Sequence, residues 1–458
     1  MMHPEVCMPL TTNRRHFIGA AGLALARPGF GQPQSAPQPV RLGVVGTGGR
    51  GTSLIQIAAS MPGVGFPALC DINPQNLARA QDLVMSAGGP KPELYTGAED
   101  YLKLVARDDL DAVLIATPWE LHTPMAVASM KSGKYTAVEV PAALTIEQCW
   151  DLVNTHEHTG TPCMMLENWS FRRDNLAVLN MIRAGLLGQI NHCHAAHSHD
   201  CTYWYFNPDG TPRWGGEYLL RRNSDPYPTH ALGPVLSWMD LNCGDYPAYV
   251  TSMATRSLSL PHYFAKKFGP DHPAARRKYA QGDIVTSLIK TIQGNTIVLL
   301  NDMQSPRPYD NRWEISGTDG LYNEQRNAVY ITGRSPKPDT WESFAPYQKQ
   351  FDHPWYTDLE RAEPGTLNTT LGHGGPDYLE LRHFVDAVRN HAPTPLDIYD
   401  SVLMSSLIPL SEYSIAHSSV PVPFPDFTRG KWKTRQPYFA VAGQQFRQTP
   451  QTRSTNKQ

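Results

Sequence analysis

Short apolar runs recur along the first third of the chain, each separated from the next by an amphipathic stretch of helical length. The runs are Leu42–Val45, Ala112–Ala116, Thr136–Val140 and Cys163–Leu166. Continuous apolar runs of this length are typical of strands buried in a parallel sheet with helices on both faces. The helix after the third run has Thr145 and Gln148 in capping-box spacing. We therefore predict a doubly wound α/β domain over residues 40–165.

The pattern changes after this domain, where strand-like segments dominate and the loops are rich in Pro, Tyr and Trp. The predicted strands are 189–199, 247–257, 284–292, 296–303 and 312–316. The predicted helices are 174–186, 376–390 and 399–417. Together they predict an α+β domain over residues 166–428 with an open, largely antiparallel sheet, one face covered by helices and the other meeting a ligand. Residues 429–458 are predicted to form a polar tail.

Composition agrees with two domains and narrows the class of ligand. The chain has 458 residues, of which 41% are apolar, enough for two packed cores. A formal net charge of −2 provides no long-range field to attract nucleic acid or an anionic membrane. The predicted partner is a small molecule, and no nucleic acid partner is expected.

The N-terminal segment resembles a twin-arginine export signal. Arg14-Arg15 precedes an apolar run, Ile18–Ala26, that is too short to span a bilayer as a stable helix. We predict a signal peptide over residues 1–26, a Pro-rich linker over 27–39, and a periplasmic or secreted protein carried by the twin-arginine translocase without stable insertion in the membrane. The alternative is a cytoplasmic extension with a chance arginine pair. In an exported protein, Cys193 and Cys201 could pair.

A dinucleotide fingerprint, Gly46-Thr47-Gly48-Gly49-Arg50-Gly51, follows the first predicted strand and opens a helix. Gly46, Gly48 and Gly49 allow a tight turn and close approach of the backbone to a pyrophosphate, and the helix N-terminus supplies amides. Asp71 ends the next strand-like segment, where it would accept hydrogen bonds from the ribose and repel a 2′-phosphate. The predicted cofactor is NAD. Because an exported enzyme leaves the pool that recycles this cofactor, a redox-neutral reaction is favoured.

Several ordered motifs resemble a known family, the Gfo/Idh/MocA oxidoreductases, and within it the NAD-dependent glycosidases of glycoside hydrolase family 109. The motifs are TPWELHTPMAVASM, AVEVPAALTIEQCWDLV, CMMLEN, YPTHALGPV, SPRPY, GHGG and PLSE, between about residues 41 and 428. Most members of the wider superfamily carry Glu-Lys-Pro where this chain has Glu139-Val140-Pro141. The missing lysine is typical of the glycosidase branch, whose founding activity is α-N-acetylgalactosaminidase.

The resemblance implies hydrolysis of a carbohydrate glycoside by a redox detour. NAD would accept hydride from C3 of the sugar, a base would remove the proton at C2, and elimination would expel the aglycone from C1. Water would then add, and the hydride would return to C3. This route needs no pair of carboxylates flanking the scissile bond. Two alternatives are a sugar oxidoreductase, either a dehydrogenase or a redox-neutral transhydrogenase, and a carbohydrate-binding protein that keeps NAD structurally.

The resemblance also implies the site residues. It places cofactor contacts at Arg50, Gly51, Asp71, Trp119, Glu120, Leu121, His122, Glu139, Val140 and Asn168. It places substrate contacts at His197, Tyr227, Pro228, Thr229, His230 and Tyr309. The catalytic candidates are His230, His197 and Glu139, with His230 the best candidate for acid and base at the C3 hydroxyl. By analogy to the superfamily, the open sheet face favours a homodimer.

Three positions depart from the family pattern. Phe171 stands where the family has a tyrosine proposed to accept the C2 proton, His197 replaces a substrate-contacting tyrosine, and Gly215 replaces an arginine. Since phenylalanine cannot take a proton, either His197 has that role or the chemistry differs. The alternating histidines from His192 to His199 also suggest a metal, but on a strand they divide between two faces, so no metal site is predicted.

Overall fold

The computed structural model describes residues 39–366 and 373–441. The predicted signal peptide, all but the last residue of the predicted linker, and residues 442–458 of the predicted tail lie outside the described residues. Within them, the first domain is a six-stranded parallel sheet in the order β3-β2-β1-β4-β5-β6. Its strands are β1 (Val40–Val45), β2 (Val64–Cys70), β3 (Glu93–Tyr95), β4 (Ala112–Ile115), β5 (Tyr135–Glu139) and β6 (Cys163–Leu166).

Helices flank this sheet, so its central strands are buried on both sides and read as continuous apolar runs. They are α1 (Gly49–Ala59), α2 (Pro74–Ser86), α3 (Tyr101–Val105), α4 (Trp119–Lys131) and α5 (Ile146–Thr159). The Thr145 side chain caps α5 by accepting the Gln148 N–H at 3.2 Å, and the Gln148 side chain accepts the Leu144 N–H at 2.8 Å. The predicted doubly wound α/β architecture is confirmed. Its strand order reverses between β1 and β4, where ligands bind in such folds.

The second domain is built on a mixed sheet, which in the described residues has nine strands ordered β14-β13-β12-β11-β7-β10-β9-β8-β15. All neighbours are antiparallel except β7 and β10, so the largely antiparallel prediction is confirmed. The predicted strands correspond to β7 (Ile190–Ser198), β8 (Pro247–Ala254), β9 (Val285–Thr291), β10 (Thr296–Asp302) and β11 (Glu314–Gly317). Four strands were not predicted: β12 (Gly320–Asn323), β13 (Ala328–Ile331), β14 (Glu342–Ser343) and β15 (Val422–Pro423).

Most helices of this domain are short. They are α6 (Arg173–Arg183), α7 (Thr202–Tyr205), α8 (Trp214–Arg221), α9 (Thr229–Trp238), α10 (Ser259–Phe268), α11 (Pro273–Arg276), α12 (Ala345–Gln350), α13 (Pro354–Ala362), α14 (Pro376–Arg389) and α15 (Ile398–Ala416), with 3-10 turns at Asn168–Phe171 and Lys431–Lys433. The described part of the chain contains no helix with the length and apolar character needed to cross a bilayer.

The ligand side of the sheet differs from the prediction. The side chains of Cys193 and His197 share one face of β7, and this face packs against α9, whose His230 ring lies 4.9 Å from the His197 ring. The opposite face is open and exposes Tyr249, Met253 and Leu288. The functional side chains therefore lie on the helix-covered face, because α9 leaves a gap at the carboxyl end of β7.

The second domain also extends past the predicted boundary at residue 428. Trp432 and Phe439 are buried, and the Arg183 guanidinium donates to the carbonyl oxygens of Phe439 and Ala440 at 2.5 Å. Because the segment after residue 428 is mostly polar, its composition did not predict that Trp432 and Phe439 would be buried in this domain. A further prediction concerned Cys193 and Cys201, which are free thiols in the structure.

Candidate active site

A cavity of about 520 Å³ lies where the carboxyl edge of the first sheet faces α9 and β7, at the reversal of strand order. Its volume is in the range of small-molecule sites. The first domain and the turn after β6 contribute Gly49, Arg50, Ala116, Thr117, Trp119, His122, Glu139, Val140, Asn168 and Trp169. The rest of the second domain contributes His197, His199, Cys201, Tyr203, Trp204, Arg213, Trp214, Tyr227, His230, Met303, Tyr309 and His373.

The glycine-rich turn has the shape that a pyrophosphate requires. Gly46 adopts φ +87°, and a Cβ at Gly51 would lie 1.9 Å from the Gly46 carbonyl oxygen, so both positions need glycine for close packing. A Cβ at Gly48 would meet nothing closer than 3.9 Å, which leaves space for a ligand. Helix α1 starts at Gly49 with no side-chain cap and no acidic residue in its first turn. Its amides are therefore available to phosphate oxygens, and the turn fits NAD.

Asp71 follows β2 and organises the same turn. Its carboxylate accepts the Thr47 N–H at 2.7 Å and the Asn73 N–H at 2.8 Å. The Thr47 hydroxyl and the Asn76 side-chain amide also donate to it, at 3.2 and 3.4 Å, so ribose hydroxyls would compete with these longer contacts. Asp71 is therefore placed as the NAD prediction requires, and its contact with the cofactor stays a prediction.

Arg50 and Glu139, both predicted cofactor contacts, form an ion pair at 2.5 Å. The Arg50 guanidinium also pairs with Asp377 of α14 at 2.7 Å, and Asp377 accepts the Asn168 side-chain N–H at 2.6 Å. Burial alone would raise the pKa of Asp377, but the hydrogen bond with His373 and the charge of Arg50 hold it well below its usual range. This network ties α14 to the cofactor edge of the first sheet.

The remaining predicted cofactor contacts divide into two groups. Trp119 and Val140 line the cavity, whereas Glu120 and Leu121 are exposed on α4 and are not among its lining residues. His122 lines the cavity, but its ring nitrogens lie 2.7 and 2.8 Å from the carbonyl oxygens of Pro141 and Thr117. Burial lowers the pKa of His122. Its role in the structure is to bind two loops together.

His230 is held by a buried carboxylate that sequence analysis did not assign. Glu167, at the end of β6, is fully buried, and its two oxygens lie 2.8 and 3.0 Å from His230 Nδ1. Glu167 also accepts the Trp169 N–H at 3.0 Å. Helix α9 approaches this carboxylate closely because it carries Gly233, where a Cβ would lie 2.7 Å from Glu167 Cγ. Because the Glu167 carboxylate contacts Nδ1, the other ring nitrogen of His230, Nε2, can bind a ligand, as in catalytic histidine–carboxylate pairs.

His197 lies beside His230 in a different environment. It is buried, and its Nδ1 has no hydrogen-bond partner among the described residues. Burial first, and then the nearby imidazoles of His230, His199 and His373, lower the pKa of His197 well below its usual value. His197 is therefore neutral at physiological pH. As the strand alternation predicts, His192 points to the other face, where it contacts Thr296.

An aromatic wall completes the cavity. The Trp119 ring lies 5.1 Å from that of Trp214 and 5.7 Å from that of Trp204, and Tyr227 lies at 5.8 Å. Flat apolar faces of this kind suit the C–H faces of sugar rings. Arg213 lines the cavity beside this wall, with its Nε held by Asn207 Oδ1 at 3.0 Å.

Two of the positions that depart from the family pattern are core positions here. Phe171 is fully buried and stacks on Trp355 at 5.7 Å, and it is not among the cavity's lining residues. A Cβ at Gly215 would lie 3.1 Å from the Tyr205 ring, so an arginine does not fit there unless that ring moves. Of the predicted substrate contacts, His197, Tyr227, His230 and Tyr309 line the cavity, whereas Pro228 and Thr229 are buried at the start of α9.

Several lining or supporting residues received no specific role from the sequence, although Glu167 was expected at the ligand end of its strand and the alternating histidines were expected in part to line the sugar pocket. Glu167 and Trp169 flank the assigned Asn168, so the Glu-Asn motif carried a usable signal. The others come from loops and helices far apart in the chain: His199, Cys201, Tyr203, Trp204, Arg213, Trp214, Met303, His373 and Asp377.

Two family models match the chain, one for each domain. Residues 40–167 match the oxidoreductase family with an NAD-binding Rossmann fold, and residues 171–434 match the C-terminal domain of glycosyl hydrolase 109. The chain belongs to glycosyl hydrolase family 109. The resemblance found in the sequence is thereby confirmed.

Family 109 relatives match over nearly the whole chain. A glycosyl hydrolase family 109 protein from Stenotrophomonas maltophilia (strain K279a) is 39% identical over 455 residues, covering 94% of this chain and 98% of that protein. An alpha-N-acetylgalactosaminidase from Tannerella forsythia is 39% identical over 459 residues, covering 93% and 97%. Together with the Rossmann domain, these matches identify this family 109 member as an NAD-dependent glycoside hydrolase.

Solved structures share the fold at lower identity. An NAD binding oxidoreductase from Klebsiella pneumoniae superposes with a TM-score of 0.66 at 19% identity, over 85% of this chain and 99% of that one. Levoglucosan dehydrogenase in complex with NADH and levoglucosan gives a TM-score of 0.64 at 18% identity, over 85% and 100%. The family 109 member thus has the Gfo/Idh/MocA architecture of a Rossmann domain followed by an open sheet.

Proposed function

We propose that this enzyme hydrolyses a glycoside by transient oxidation at C3, elimination of the aglycone, addition of water and re-reduction. The observation that supports this most directly is the placement of two imidazoles, His230 and His197, in the cavity that adjoins the NAD turn. Glu139 is the single carboxylate among the lining residues, and it is paired with Arg50. Among the residues that the structure describes, the cavity therefore lacks the pair of flanking carboxylates that most glycosidases use for direct hydrolysis.

His230 would handle the proton of the C3 hydroxyl. The glycine-rich turn and Asp71 would hold NAD, which when bound would supply the reversible hydride acceptor for C3. His230 Nε2 accepts the hydroxyl proton as the carbonyl forms and gives it back in the last step. Glu167 stabilises the charged imidazole between these two events, because its carboxylate contacts Nδ1 at 2.8 Å.

The proposed substrate resembles an α-N-acetylgalactosaminide. The Tannerella forsythia relative named for this activity supports the class of sugar. The wall formed by Trp119, Trp204, Trp214 and Tyr227 supports a pyranose ring lying against an aromatic face. Because Gly215 has no side chain where the family has an arginine, recognition of the sugar's polar groups falls to other residues, with Arg213 closest in sequence.

Export and dimerisation are further parts of the proposal. Arg14-Arg15 and the apolar run behind them support export by the twin-arginine translocase. Fractionation of cells expressing the native chain and an Arg14→Lys/Arg15→Lys variant would test export, with cytoplasmic retention of the variant expected.

The exposed side chains of Tyr249, Met253 and Leu288 support pairing of the open sheet face with a second copy. A monomer in light scattering at micromolar concentration would contradict the dimer.

The test of the reaction uses protein purified without added cofactor, with bound NAD confirmed after denaturation. The protein is incubated with matched aryl α- and β-glycosides of N-acetylgalactosamine and other sugars in deuterated water. We expect aglycone release, deuterium at C2 of the product and no net reduced cofactor. Accumulation of reduced cofactor with intact glycosides would instead establish a sugar oxidoreductase, and ligand binding without either change would indicate a binding protein.

A further inference from the structure

The imidazoles of His230 and His197 line the same cavity but differ in their hydrogen-bond partners, and this difference suits them to different catalytic roles. We propose that His197 is a second catalytic base, which removes the proton from C2 of the sugar, next to the carbon that His230 serves. The assignment rests on the proposed function, since only a C3 ketone makes the C2 proton acidic enough to remove.

The placement of the two rings suits neighbouring carbons of one ligand. The His197 and His230 centroids are 4.9 Å apart and their planes meet at 73°, so the rings approach the cavity from two directions. His197 comes from the end of a strand and His230 from the first turn of α9. Both contact Tyr227, at centroid distances of 5.2 and 4.9 Å, which keeps the pair together.

The environment of His197 suits a base that takes up a proton only briefly. Among the described residues, no carboxylate pairs with His197, and its buried Nδ1 has no hydrogen-bond partner. It is therefore neutral and able to accept. Once protonated, it lies in a buried site beside other imidazoles, which favours rapid return of the proton. His230 differs in this respect, because the negative charge of Glu167 stabilises the His230 ring while it is protonated.

Other groups in or near the cavity are less suited to the step. Phe171 has no ionisable group and lies in the core. Burial raises the pKa of Tyr227 well above the usual value, so its phenol stays protonated, and the pKa of Tyr309 is raised as well although Tyr309 is 44% exposed. His199 is engaged by the Cys201 thiol, with Sγ 3.1 Å from Nε2.

The step balances within the proposed reaction. The C2–H bond breaks, its proton goes to His197, and its electron pair enters an enolate shared with the C3 carbonyl. That pair then forms the C1–C2 double bond as the bond from C1 to the aglycone oxygen breaks. Water adds at C1 and a proton returns to C2, which carries solvent deuterium into that position.

The experiment compares His197→Asn with His192→Asn, a matched change on the opposite face of the same strand, using the glycoside that the intact enzyme cleaves. We expect His197→Asn to reduce its bound NAD on mixing with substrate, while aglycone release and deuterium entry at C2 fall by roughly 10²–10⁴-fold. His192→Asn, outside the cavity, should stay within several-fold of the intact enzyme. In a His197→Ala variant, added imidazole should restore exchange at C2, which a purely structural role does not predict.

The outcomes separate the two proposals. Two results would overturn the assignment of His197. One is deuterium entry at C2 at the normal rate in His197→Asn. The other is loss of cofactor reduction in parallel with loss of deuterium entry, because the defect would then precede the C2 step. Retention of bound NAD and an unchanged circular dichroism spectrum establish that each variant folds, and His197→Gln replaces any variant that does not. An intact enzyme that releases no aglycone from any glycoside overturns the proposed function and this assignment with it.

Discussion

Replacing Glu167 by glutamine tests the buried carboxylate behind His230. The change removes the negative charge that faces Nδ1 at 2.8 and 3.0 Å but keeps an oxygen that can accept the Trp169 N–H. A hydrogen bond to a charged group contributes about 1.5–3 kcal/mol. If that stabilisation is lost when His230 carries its proton, kcat falls by roughly 10- to 150-fold. KM should change little, because Glu167 does not line the cavity.

The assay is aglycone release at saturating glycoside, measured for the intact enzyme, Glu167→Gln, His230→Ala and the double variant. If Glu167 acts through His230, adding Glu167→Gln to His230→Ala should change the residual rate by less than about threefold. Equal losses in both backgrounds would refute the argument, since they would mean that Glu167 acts elsewhere. A kcat within twofold of the intact enzyme would refute it as well.

Two further predictions concern binding and stability. Gly51→Ala places a Cβ 1.9 Å from the Gly46 carbonyl oxygen and should lower the free energy of unfolding by roughly 2–3 kcal/mol in denaturant titrations. Gly48→Ala, whose Cβ has its nearest neighbour at 3.9 Å, should leave stability unchanged but weaken NAD binding by about tenfold in calorimetry. Equal stability of the two variants would contradict this prediction. Burial raises the pKa of Asp225 to about 7. Because the folded carboxyl stays protonated where the unfolded one ionises, its stabilising effect is complete below about pH 4 and is lost as the pH rises to about 7. Asp225→Asn, which keeps the acceptor for the Tyr227 N–H, should therefore stabilise the protein by at most about 4 kcal/mol near pH 8 and not near pH 4, and a pH-independent change in thermal midpoint would contradict it.

The Rossmann half was predictable because its signals are local. Each buried strand is a continuous apolar run, and the glycine fingerprint is one short contiguous segment in which Gly51 packs against the Gly46 carbonyl. In the second domain, the patterning located the four strands of seven to nine residues, β7 to β10, and the short β11, but it missed β12 to β15, which have two to four residues each. Such strands are too short to show alternation, and pairing with longer neighbours holds them in place.

The candidate site was only partly predictable, because its geometry joins distant segments. His230 and Asn168 were assigned through motifs, yet Glu167 is the residue that orients His230 from 63 positions away in the chain. Asp377 reaches Arg50 across 327 positions. A buried carboxylate is recognisable as functional only when its partner is known.

By itself, the sequence determined the two-domain α/β and α+β architecture, the NAD turn and the family, since these depend on apolar periodicity and on glycines whose constraints are local. Only the tertiary structure decided which face of the second sheet meets the ligand, that Phe171 belongs to the core, and that His197 and His230 differ in their partners. The reason is physical: burial and charge pairing, which set what an imidazole can do, arise from contacts that form only when α9, β6 and β7 pack together.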